Sequence, residues 1–206
     1  KRAAGFMDVV AYTGTGVAKT EAHNLGVVPE LMLFKRRSTA RQWLVYTAPT
    51  GNTKGLFLNL DAVPNTFTGY WNDTTPTASV FTLGNGFDTN SSGDTYIAYL
   101  FATVAGVSKV GSYTGTAADL NVDCGFTAGA RFILIKRTDS TGDWYVYDSL
   151  RGISAGNDPY LLMNSAAAQV TNTDYIDPLA SGFTVTSTAP AGLNANGGSY
   201  IFLSIA

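Results

Sequence analysis

The chain has 206 residues, enough for one large or two small domains. Only 14% of them are charged and the net charge is −2, so no global field draws it to nucleic acid or to an anionic membrane, and no apolar segment approaches spanning length. With 12% aromatics it is too apolar to be disordered, and with one cysteine (Cys124) and one histidine (His23) it holds neither an intrachain disulfide nor a Cys/His zinc site.

The opening "KRAAGF" is followed by no apolar run and does not form a signal peptide; the chain begins without Met, which predicts a piece of something longer. "YTGT" at 12–15 marks a turn. His23, beside "NLG", reads as a strand-end or turn residue rather than as the base of a triad. "LMLF" at 31–34 predicts a strand that runs into Lys35, Arg36 and Arg37, and "WLVY" at 43–46 predicts its partner after a loop that carries Arg41. "GLFLNL" (55–60), "VFTL" (80–83) and "TYIAYLFA" (95–102) read as further strands; the last is apolar on both faces, as a central strand is. Between them lies "NTFTGYWNDTTPT" (65–77), a long connection with Phe67, Tyr70 and Trp71.

A second copy follows. Residues 31–46, "LMLFKRRSTARQWLVY", answer residues 132–147, "FILIKRTDSTGDWYVY", at an offset of 101, and "YTGT" recurs at 113–116. "TYIAYLFA" answers "SYIFLSIA" at 199–206, and Asn90 answers Asn194, at an offset of 104. "YLLMN" (160–164) and "FTVT" (183–186) complete the second set of strands, while "NSAAAQV" (164–170) reads as a loop because its counterpart holds Pro64. The chain is thus expected to be all-β: two tandem jelly-roll-like sandwiches, residues 1–104 and 105–206, with a boundary near 104–107 and close packing without a flexible linker.

The pattern "YTGT…LGVVPELMLFKRR…W.VY…WNDTTPT.SVFTLG…TYIAYLFA…IKRTDSTGDWY.YD" resembles an uncharacterised tandem-repeat β domain of bacteriophage tail-fibre and other virion surface proteins, notably of marine phages. The resemblance covers nearly the whole chain. It implies a β-rich module on a virion appendage, outside the cell, homo-oligomeric and often trimeric. It supplies no catalytic residue and no cofactor.

Positions kept in both copies are expected to serve the fold: Lys35 and Lys136, Arg36 and Arg137, Trp43 and Trp144, Tyr46 and Tyr147. The cations would cover strand ends with their stems and pair with Asp73 and Asp177; the tryptophans would be core or inter-sheet anchors. Positions unique to one copy are free for function. Arg37 and Arg41 have Thr138 and Gly142 as counterparts, and Gly142 is expected at positive φ, giving the two loops different paths. The arginines would meet a phosphate or carboxylate of a surface glycan, or be solvated. Phe67, Tyr70 and Trp71 would offer a sugar-stacking platform, an oligomer interface or core packing. Asn157, Tyr160 and Tyr175 belong to another unshared loop. "DSTGD" and "GNDPY" lack calcium-loop spacing, and no carboxylate pair among Glu21, Glu30, Asp143 and Asp148 is marked out for glycoside hydrolysis.

These readings predict a non-enzymatic module that binds a host cell-surface receptor, a carbohydrate, and associates with other fibre proteins, with no metal, nucleic acid or membrane insertion. A virion decoration or fibre-assembly module, and below it a polysaccharide depolymerase, are the other classes weighed.

Overall fold

A computed structural model describes residues 3–206. The chain is nearly all β, and it divides into two units. The first comprises the chain up to Asn59 together with Pro64–Thr103; the second comprises Val104–Ala206 and the short excursion Leu60–Val63.

In the first unit β1 (Met7–Thr13), β3 (Leu31–Arg36), β4 (Trp43–Thr47), β5 (Lys54–Phe57), β6 (Asn65–Thr66) and β8 (Thr95–Phe101) form one antiparallel sheet in the order β1-β8-β3-β4-β5-β6. β2 (Lys19–Ala22) and β7 (Val80–Leu83) form a small second sheet. Period-2 alternation sends Met32, Phe34, Leu44, Tyr46, Tyr96, Ala98 and Leu100 to one face of the large sheet, where they meet Phe81 and Leu83 of β7 in a single buried core. The other face is apolar too: Leu31 and Val45 are wholly buried there, which is why β3 and β4 read as continuous apolar runs.

The second unit repeats the plan. β9 (Ser108–Thr114), β11 (Phe132–Arg137), β12 (Trp144–Asp148), β13 (Leu161–Leu162) and β16 (Ser199–Ile205) form a sheet in the order β13-β12-β11-β16-β9. Strand for strand this is the order of the first sheet without β6. β10 (Leu120–Asp123), β14 (Ile176–Leu179) and β15 (Gly182–Val185) form the second sheet. Pro178 is accommodated because β14 is an edge strand. Residues 165–169 are loop, as expected.

Six strands, β1, β2, β6, β9, β10 and β14, lack a strong sequence signal: β1 and β9 include the "YT" of "YTGT", β2 and β10 are short and half polar, β6 has two polar residues and β14 holds Pro178. Two four-residue helical turns, α1 (Phe87–Asn90) and α2 (Ala191–Asn194), were also unexpected. Each ends on a buried asparagine. Asn90 Nδ2 donates to Val17 O and Gly84 O, both at 2.6 Å, and its Oδ1 accepts from Thr15 N at 2.8 Å. Asn194 does the same with Ala118 O (2.8 Å), Thr186 O (2.9 Å) and Thr116 N (2.9 Å). One amide thus joins the turn after the first strand to the chain leaving the small sheet. Beside it, Tyr12 and Tyr96 stack at 5.2 Å and Tyr113 and Tyr200 at 4.8 Å. Their hydroxyls cap the helical turns: Tyr12 donates to Thr89 O and Tyr96 to Phe87 O, Tyr113 to Leu193 O and Tyr200 to Ala191 O. The glycine of each "YTGT" is required by close approach, since a Cβ on Gly14 would lie 2.1 Å from Ser91 O, and one on Gly115 2.3 Å from Ala195 O.

The shared cations serve the fold, with partners other than those expected. Arg36 pairs with Asp94, not Asp73. Arg137 grips Asp139, not Asp177, through Nε at 2.9 Å and Nη2 at 3.1 Å, and this holds the Asp139 carboxyl down to about 2. The two acids come from different loops: Ser38 stands where the second copy has Asp139, and Gly198 where the first has Asp94. Lys35 donates to Arg41 O. Lys136 is wholly buried, and its Nζ donates to Arg137 O at 2.7 Å and to Asp61 O of the excursion at 3.2 Å. Trp43 and Trp144 lie on the sheet face opposite the two core clusters; Trp144 is buried there, and Trp43, half-buried, stacks on Tyr99 at 6.4 Å under Lys35. Tyr46 and Tyr147 are buried in the cores.

Asn90→Ala or Asn194→Ala leaves three main-chain groups unpaired and is expected to cost about 3 kcal/mol or more of stability by urea unfolding. Burial pushes the Lys136 ammonium down to about 8, so the unfolded chain binds its proton more tightly. Stability should therefore rise with pH between these values; the contribution is complete above the free-lysine range and is lost as pH falls through about 8. A gain of about 1 kcal/mol from pH 7 to pH 9, absent in Lys136→Met, is the expected result.

Candidate functional site

The aromatic connection 65–77 was the leading site, and the structure divides it. Trp71 is 1% exposed. It packs against Phe34 (5.0 Å), Tyr46 (5.6 Å) and Tyr70 (6.1 Å), and its Nε1–H donates to Lys54 O at 2.7 Å. Tyr70 is also buried, with its hydroxyl accepting from Asn65 Nδ2 at 3.1 Å. Neither ring has a free face for a sugar; of the three readings, core packing holds for both, and they join the buried cluster of the large sheet and β7. In the second unit the unshared Tyr160 fills the corresponding place, packing on Tyr145 (5.2 Å), Tyr147 (5.8 Å) and Tyr175 (6.0 Å). The loop there is held by the buried Asp158, whose carboxylate accepts from Tyr175 N and Ile176 N and which burial raises to about 6.

Phe67 remains at the surface, 46% exposed, edge-on to Tyr70 at 5.0 Å. It walls a groove of about 470 Å³ with Val17, Thr68, Asn72 and Asn85. Asn72 and Asp73 hold the left-handed turn at its rim, with φ of 52° and 48°, which Asn and Asp tolerate better than most residues. Gly69, which also lines the groove, accepts from Gly86 N at 2.7 Å, and a Cβ on Gly86 would meet that oxygen at 2.6 Å. The groove therefore combines one apolar ring with amide and hydroxyl side chains.

Phe87, which sequence reasoning missed, is a second exposed ring of the first unit. It is 70% exposed, and the Arg41 guanidinium lies 6.0 Å from its ring centre. Only the tertiary fold brings these two together, because α1 lies against the β3–β4 hairpin. Arg37 is exposed on the same hairpin, with its main-chain N–H donating to Thr95 O at 2.7 Å. Thr138 N makes the same bond to Ser199 O at 2.8 Å, and Gly142 does not adopt positive φ, so the two loops do not diverge as expected. What separates them is side-chain chemistry.

Elsewhere catalytic chemistry is sparse. His23 is buried; its Nε2 donates to Thr77 O at 3.1 Å and its Nδ1 accepts from Leu25 N at 3.2 Å, both by main chain alone. Burial pushes the Cys124 thiol up to about 11, away from the nucleophilic thiolate. Among the described residues no group of three His, Cys, Asp or Glu is placed to hold a metal ion, and no helix is long and apolar enough to cross a membrane.

Over residues 1–206 the chain matches a domain of unknown function, DUF7483, and it belongs to that family. No curated protein matches it, and no solved structure does.

Trp71→Ala should cost about 3–5 kcal/mol in a denaturant titration, as removal of a fully packed indole does. Phe67→Ala, at the surface, should cost under about 1 kcal/mol.

Proposed function

We propose that the chain is a carbohydrate-recognition module of a bacteriophage tail fibre or another virion surface appendage, acting outside the cell on a host-surface glycan. The observation that carries the reading is the Phe67 groove. An exposed ring beside Thr68, Asn72 and Asn85 offers what a pyranose needs: a π-face for its axial C–H groups and amides for its hydroxyls. Its volume of about 470 Å³ lies within the range of small-ligand sites. Arg41, beside Phe87, and the exposed Arg37 are the cations of this unit that would meet an anionic substituent. The rigid β scaffold with function on its end loops suits such a role. A shallow groove binds weakly, so we infer a homo-oligomer, a trimer by resemblance, in which several copies per particle multiply a modest affinity. The chemistry is non-covalent and uses no cofactor.

A glycan array probed with the purified protein, followed by titration of the hit, tests this. The wild type should bind a bacterial surface polysaccharide, and Phe67→Ala should weaken binding about tenfold or more. Equal binding by Phe67→Ala, or no binding to any host polysaccharide, overturns the reading. Trp71→Ala does not test the reading, because that ring is in the core.

A further inference from the structure

The second unit carries a basic pocket that the first unit lacks. After β12 the chain turns sharply, and the turn is held by corresponding main-chain bonds in both copies. Ala48 N donates to Glu30 O at 2.7 Å in the first and Ser149 N to Arg131 O at 2.9 Å in the second. Gly51 N and Gly152 N then close on Thr47 O and Asp148 O, both glycines at positive φ. The side chains differ throughout: Glu30, Ala48, Pro49 and Thr50 against Arg131, Ser149, Leu150 and Arg151. Since the first copy forms this turn with no cation, the fold does not need the two arginines.

They line a pocket of about 420 Å³ with Asp148, Ser149 and Leu150. Asp148 organises it. One carboxylate oxygen accepts from Leu150 N and Arg151 N, both at 3.0 Å, and the other pairs with Arg151 Nη1. That pairing fixes the Arg151 guanidinium while leaving its other N–H groups available. Arg131 is exposed and lines the same pocket, and Ser149 adds a hydroxyl to it. Two guanidinium groups against one carboxylate leave the pocket at +1, in a half of the chain with 5 basic and 8 acidic residues. Leu150, 95% exposed, forms an apolar wall that folding does not account for.

We propose that this pocket binds a compact oxyanion, a carboxylate or a phosphate or sulfate ester, between Arg131, Arg151 and Ser149. Planar guanidinium forks suit such groups, and the pocket's excess positive charge favours an anion. The carbon skeleton bearing the anion would rest on Leu150. The proposal stands whether or not the groove of the first unit takes a sugar.

Amide NMR shifts of Ser149, Leu150 and Arg151 in the full chain provide the test, with sodium glucuronate, inorganic phosphate, inorganic sulfate, glucose and chloride as probes. Shifts with glucuronate or with phosphate or sulfate, and none with glucose, support the site. Glucuronate alone identifies an acidic sugar, and phosphate or sulfate alone identifies an ester. Arg131→Gln and Arg151→Thr should each weaken the binding about tenfold and add to one another. Both proteins should fold, since the first copy carries no cation at either position. Chloride shifting the same amides to the same extent, no shift with any oxyanion, or full binding by Arg131→Gln each overturns the proposal.

Discussion

Each unit depends on one buried side-chain amide. Asn90 and Asn194 satisfy two carbonyl groups and one N–H that the strands cannot pair, at the point where the chain passes from the large sheet to the small one. Only a side chain with both a donor pair and an acceptor serves there, and leaving such groups unpaired in the interior is costly. The stacked tyrosines on either side, and glycines whose Cβ would strike a carbonyl oxygen, follow from the same close approach. The surface features that we assign to recognition are attached to the frame that this node closes. α1 carries Phe87 outward in one unit, and the turn after β12 carries Leu150 in the other.

Comparing the two copies separated structural from free positions, with one instructive failure. The shared cations are anchors, yet their counter-charges have changed places: Asp94 with Ser38 in one copy, Asp139 with Gly198 in the other. An ion pair constrains where two charges meet, not which strand delivers the acid, so the partner could not be read from one copy. The failure is of the rule that unique positions are free: Trp71 is unique to one copy, yet of the three readings open to it core packing is the one the structure shows. Each unit must close the same end of its sheet, one with Trp71 and the other with Tyr160, and hydrophobic closure specifies volume rather than residue. Uniqueness to one copy therefore does not imply freedom from packing.

In the same way, Lys35 and Lys136 share a position and differ in consequence. Lys35 is half-buried and steadies the hairpin that carries Arg41. Lys136 is wholly buried on main-chain carbonyls, where it depends on the excursion Leu60–Val63 for one of its acceptors. A pattern of residue types does not carry that difference, because burial depends on distant chain.

The sequence by itself determined the all-β class, the internal self-similarity and the strands of strong alternation. These are local or repeated signals: period-2 patterning and self-similarity need no knowledge of distant contacts. Only the tertiary structure decided the strand order, the existence of β1, β2, β6, β9, β10 and β14, the helical turns on Asn90 and Asn194, and which aromatics face solvent. Those strands are weakly patterned and form because a neighbour supplies their hydrogen bonds. The fate of Phe67, Trp71 and Phe87 turned on which ring the closing loop pressed inward, a matter of long-range packing that no window of sequence contains.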